Sequence, residues 1–181
     1  INTFVLSYKR GDNMNYKSIS KIGMFVAIMA VFSWINIPLP IGIPFSMQVL
    51  GVFLTSFFLG ADAWKVFLTY LLLGIIGIPV FSGFRSGIEV IIGPTGGFLT
   101  GFLVSSFLGR FKRVHKLALG FLQILTIYSC GIIWFMIYKN VSFFSAFRIL
   151  VPSFIWIDSL KLIAAYTVYK AVSSRTVKRV S

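Results

Sequence analysis

Apolar residues gather in six long stretches, at about 19–37, 45–59, 64–78, 90–108, 117–138 and 149–171, with polar, glycine- or proline-bearing joints between them. Each predicts a transmembrane helix, because about 20 apolar residues are needed to cross roughly 30 Å of hydrocarbon. Pro38, Pro40, Pro44, Pro79 and Pro152 punctuate the series. The pattern predicts an all-α integral membrane protein with six transmembrane helices. The first stretch follows Lys17 and Lys21 as a signal peptide would, but it is too long and lacks a small-residue cleavage site, so it is expected to be retained. Residues 1–13 are polar and precede Met14; the expectation is an upstream extension followed by a single six-helix membrane domain over 14–181.

Two joints, at about 36–45 and 79–89, are unusually apolar. They hold Pro38, Pro40, Gly42 and Pro44, then Pro79, Phe81, Gly83, Arg85 and Gly87. Irregular backbone at membrane depth must be buried in protein or line a cavity. These segments are therefore expected to fold over a pocket as a lid.

Composition agrees with a lipid solvent. The chain is 57% apolar and 12% charged, with a mean hydropathy of +0.92, whereas soluble chains are about 45 to 50% apolar and about 25% charged. The net charge of +13 does not indicate nucleic acid, since the basic residues lie between and beyond the apolar runs instead of forming a water-exposed basic face. With six spans, 13 of the 17 basic residues fall on one side: Lys9, Arg10, Lys17, Lys21, Lys65, Arg110, Lys112, Arg113, Lys116, Lys170, Arg175, Lys178 and Arg179. Arg85, Lys139 and Arg148 fall on the other, and Lys161 lies within a span. The positive-inside rule then places both termini in the cytoplasm. The single Cys130 cannot make an internal disulfide and reads as packing.

Asp158 and Lys161 stand well inside the last run. Charges there cost about 2.5 to 3.5 kcal/mol each on insertion scales, so they must be paired or solvated. Three residues apart, they share a helix face. A buried ion pair that locks packing, as in a structural scaffold, is one reading; a ligand site is the favoured one, since ionisable residues within spans mark substrate paths. A lysine suits a carboxylate, and an aspartate accepts from N–H groups. Gly93, Gly97 and Gly101 recur every fourth residue, which serves close helix packing or a ligand. Gly23 and Ala27 give the first helix a small-residue face for the bundle or a partner helix. Gln48 is a lone amide at a helix start, Glu89 reads as a solvated or Arg85-paired loop residue, and His115 as a surface residue. No second His accompanies His115, so no metal site is expected. No phosphate-binding loop, nucleophile elbow or His-Glu-x-x-His run occurs, which leaves an enzyme unsupported.

Four segments in order resemble the biotin-specific S component (BioY) of energy-coupling-factor (ECF) vitamin transporters. They are Ile43-Pro44-Phe45-Ser46-Met47-Gln48, Gly74-Ile75-Ile76-Gly77-Ile78-Pro79-Val80-Phe81-Ser82-Gly83, Gly93-Pro94-Thr95-Gly96-Gly97-Phe98-Leu99-Thr100-Gly101-Phe102, and Asp158-Ser159-Leu160-Lys161. The resemblance implies biotin captured from outside the plasma membrane of a prokaryote, without a cofactor. It implies that Lys161 meets the valerate carboxylate and Asp158 the ureido N–H groups, with Phe81, Ser82, Gly83, Arg85, Gln48 and Gly93 as further substrate-binding candidates. It also implies an ECF coupling membrane subunit, met at Gly23 and Ala27, and two ATPase subunits. Phe84 and Ser86 depart from the family's small residues, as does Ser46-Met47-Gln48 from Thr-Leu-Gln. The competing function is a self-sufficient secondary carrier or facilitator of biotin or another small carboxylate, with Asp158 as a proton-linked group.

Overall fold

The computed structural model describes residues 2–111 and 113–178, and the side chains of 16–111 and 113–175 within them. Lys9, Arg10, Lys112, Lys178 and Arg179 of the basic tally thus have side chains outside the described part. Among the described residues the helices run in the order α1 (Asn2–Trp34), α2 (Gln48–Leu59), α3 (Ala63–Ile75), α4 (Ile88–Ile92), α5 (Gly96–Ser106), α6 (Lys116–Lys139) and α7 (Phe143–Lys178). The exception to a helical chain is a two-residue antiparallel pair, β1 (Asn36–Ile37) with β2 (Phe45–Ser46). The first predicted span therefore ends earlier than its apolar run, at Trp34, and its last residues join β1.

Four stretches are long and apolar enough to cross a membrane by length and composition: Tyr16–Trp34, Gln48–Ile75, Lys116–Lys139 and Phe143–Arg175. The second is not straight. Gln48 Nε2 donates to Tyr70 Oη at 2.7 Å although they are 22 residues apart, a separation that would put them about 33 Å apart along one helix. The fold-back occurs at Gly60, whose φ of 56° ends α2 with its N–H on the Ser56 carbonyl. A 3-10 turn, Gly60–Asp62, leads into α3. A second 3-10 turn, Phe107–Arg110, lies against it; a Cβ on Gly109 would collide with the Gly60 carbonyl.

The predicted fourth span is broken. Gly93 is extended after α4, and Pro94 has no N–H to continue the ladder. The helical glycine pattern spans that break, so only Gly97 and Gly101 act in close packing. A Cβ on Gly97 would stand 2.6 Å from the Cys130 carbonyl oxygen and one on Gly101 3.0 Å from the Ile127 Cα, so α5 lies directly on α6. Half-buried Cys130 is part of that contact. Nor does Pro152 punctuate the chain: it lies inside the 36-residue α7, where neighbouring helices can tolerate the lost bond in lipid.

Phe25, Val26, Met29, Ala30 and Ser33 of α1 are buried, whereas Met24 and Val31 on its other face are 52% and 47% exposed. The outer faces of α6 and α7 likewise show Ile137 at 72% and Trp156 at 77% exposure. In lipid such residues need no cover.

Candidate functional site

The loops at 36–46 and 79–87 cover a cavity open at its mouth. Its walls come from α2 (Gln48, Val49), α5 (Phe98, Leu99, Phe102) and α7 (Phe154, Asp158, Lys161), and its cover from Ile43, Pro44, Phe81, Ser82 and Arg85. The mostly apolar lining with a few convergent polar groups suits a small organic ligand.

Asp158 and Lys161 are 2% and 5% exposed, and Lys161 Nζ lies 2.8 Å from Asp158 Oδ1. The helix spacing thus produces the pair expected from sequence. Neither group depends on the other alone. Tyr128 Oη of α6 donates to Asp158 Oδ2 at 2.8 Å. Lys161 Nζ also donates to the Ser46 carbonyl at 2.7 Å and sits 4.2 Å from the centre of the Phe45 ring. An ammonium has three donors and a carboxylate about four acceptor sites, so the pair keeps hydrogen-bonding capacity for a ligand. Sequence reasoning missed Tyr128; its signal was a phenol within an apolar helix, which needs a partner for its hydroxyl.

Gln48 also lines the cavity. Its Oε1 accepts from Ser46 Oγ at 2.8 Å and its Nε2 is held by Tyr70, whose hydroxyl donates to the Val80 carbonyl at 2.8 Å. The amide is therefore more than a helix-end group, and Ser46 and Tyr70 were not foreseen as its supports. Phe81 is fully buried. It packs where Gly74 has no side chain, because any Cβ there would enter the Phe81 ring. Ser82 is 6% exposed and its hydroxyl has no partner within the protein, a state that costs about 1 to 3 kcal/mol and that a polar ligand group would relieve.

Arg85 is exposed at the mouth, with Nε on the Ser82 carbonyl at 3.1 Å. Glu89 is exposed, and the ion pairs of the described residues are Lys65–Asp62 and Lys161–Asp158, so Glu89 does not pair with Arg85. Gly83 and Gly93 fall outside the lining: Gly83 makes the left-handed turn of the loop, φ 74°, and the Gly93 carbonyl accepts from Trp134 Nε1 at 2.8 Å. Phe84, with φ 58°, stacks on Trp34 at 4.9 Å, while Trp34 Nε1 donates to the Pro79 carbonyl at 2.8 Å. Gly23 and Ala27 lie far from this pocket in chain terms, exposed on α1, and a Cβ on Gly23 would meet nothing within 4 Å. His115 is exposed and caps α6 by accepting from the Leu117 N–H.

A family model described as the BioY family matches residues 8–178. The chain belongs to the BioY family. Among BioY proteins, the biotin transporter of Thermotoga maritima is 34% identical over 170 residues, covering 90% of this chain and 99% of that one. The biotin transporter BioY of Rhodobacter capsulatus is 33% identical over 180 residues, covering 87% and 93%. In fold, the chain matches the crystal structure of an S-component for biotin from an ECF-type ABC transporter, with a TM-score of 0.82 at 22% identity over 90% of this chain and 93% of that one. BioY proteins are transport proteins, so this is a multi-pass membrane transport protein and not an enzyme.

Proposed function

We propose that this chain is the biotin-capturing S component of an ECF-type uptake transporter in the plasma membrane. The observation that carries the reading is the Asp158–Lys161 pair, buried halfway along α7 yet lining a cavity. A pair kept only for packing has no need of a cavity beside it. Lys161 offers its remaining donor to the ligand carboxylate, and Asp158 its spare lone pairs to the ureido N–H groups. Phe81, Ser82, Arg85 and Gln48 complete the pocket, with Gly83 and Gly93 shaping its backbone cover. The biotin transporters among the relatives support the choice of ligand.

The same reading gives six crossings with both termini cytoplasmic. α2 alone measures about 18 Å, and the extended Phe45–Ser46 before it adds about 7 Å, which supports that leg of the α2–α3 hairpin as a crossing. The exposed Gly23 and Ala27 face of α1 is where a coupling membrane subunit, energised by two ATPase subunits, would dock.

Calorimetry on detergent-purified protein tests the ligand. Biotin should bind saturably without ATP, because preformed polar groups in a largely apolar pocket suffice. No heat at micromolar biotin would count against the assignment. Biotin uptake into proteoliposomes lacking any ATPase would favour the self-sufficient carrier instead.

A further inference from the structure

A chain of buried and half-buried hydrogen bonds leads from the ion pair to the loop that covers the pocket. Lys161 donates to the Ser46 carbonyl at 2.7 Å, Ser46 Oγ to Gln48 Oε1 at 2.8 Å, Gln48 Nε2 to Tyr70 Oη at 2.7 Å, and Tyr70 Oη to the Val80 carbonyl at 2.8 Å. Every donor points the same way along the chain. The Ser33 hydroxyl of α1 shares its one proton between the Ala30 carbonyl at 2.7 Å and the same Val80 carbonyl at 2.5 Å. Tyr70 and Ser33 are both fully buried, and neither lines the cavity. Val80, however, directly precedes Phe81 and Ser82, which do. The loop bends through left-handed positions on both sides of Val80, at Gly77 with φ 106° and Gly83 with φ 74°. Glycines at such positions set the turns of the segment, which Trp34 holds at the Pro79 carbonyl and the Phe81 N–H holds at the Arg85 carbonyl, while the Val80 carbonyl, next to the two residues that line the cavity, is held by Tyr70.

We propose that Tyr70 is a positioning residue for ligand capture, which fixes the Val80–Phe81–Ser82 segment over the pocket and ties it, through Gln48 and Ser46, to Lys161. This rests on the biotin reading above. Tyr70 touches no ligand. Its phenol serves at once as acceptor for the Gln48 amide and donor to the loop carbonyl, and a hydrogen bond polarised at both ends is strengthened by its neighbours. Ser33 is the second pin on the same carbonyl, from a different helix.

Tyr70→Phe tests this while keeping the ring that packs edge-on against Phe81 at 5.5 Å. Biotin should leave the variant roughly tenfold faster, the usual consequence of losing a buried hydrogen bond, with association changed less. In a Cys130→Ala background, a Ser86→Cys thiol on the loop should also lose part of the protection from a water-soluble thiol reagent that bound biotin confers. Ser33→Ala should shift both readouts in the same direction by less. A purely structural role predicts a lower melting temperature without ligand, with release rate and thiol protection as in the wild type, and that result overturns the proposal. Should Tyr70→Phe not fold, unchanged release and protection in Ser33→Ala overturns it equally. Wild-type protein that binds no biotin would defeat the functional reading itself, which is a distinguishable result.

Discussion

Asp158 and Lys161 neutralise each other before any ligand arrives, and this shapes what mutation should do. Lys161→Met strands a buried carboxylate, so stability without ligand should fall by about 3 to 5 kcal/mol. Replacing the whole group with apolar residues, Asp158→Leu with Lys161→Met and Tyr128→Phe, should restore most of that, since buried pairs exchanged for apolar residues are often neutral or stabilising by about 1 to 4 kcal/mol. The triple variant should nevertheless bind no biotin. Melting temperatures beside binding isotherms decide; retained biotin binding would reduce the pair to packing. The pair was legible in the sequence because two charges inside an apolar run have no neutral explanation. Their partners were not. Tyr128 and Ser46 stand 30 and 115 residues from the groups they bond, and a tyrosine in an apolar run looks like core until its hydroxyl is located.

At the scale of elements, contacts between α5 and α6 depend on what glycine lacks. Gly97→Ala would press its methyl against Trp134 and the Cys130 carbonyl, and forcing atoms into a packed site costs typically about 1 to 3 kcal/mol. The expected result is a lower melting temperature for Gly97→Ala, whereas Gly23→Ala, with open space at its Cβ, should melt as the wild type does. Gly97→Ala unchanged would mean the two helices are not held this closely. Helix existence was readable from apolar runs of sufficient length. Interruptions were harder: Pro94 ends a helix because Gly93 is already extended, while Pro152 does not because α7 continues on both sides. Proline removes one bond in each case, and the surrounding packing determines whether the helix survives it.

Across the whole molecule the two 3-10 turns meet at one end, near Lys65, Arg110 and Arg113, while the β1–β2 pair and loop 76–87 lie with the opposite helix ends. The basic bias therefore coincides with one end of the bundle, the arrangement expected of a cytoplasmic face. In a Cys130→Ala background, thiols placed at Ser86 and at Ser173 should label from opposite sides of intact cells, Ser86 from outside; labelling from the same side would exclude an odd number of crossings between them, and with it the six-crossing reading. Loop 76–87 also touches an aromatic residue of the first helix. Trp34 stacks on Phe84 and donates its indole N–H to the Pro79 carbonyl, so both its ring face and its nitrogen are occupied by the segment that covers the pocket. Trp34 of α1 thus offers an optical report on that segment: with the other three tryptophans replaced by Phe, lifting the segment away should expose the indole to water and shift its emission to the red.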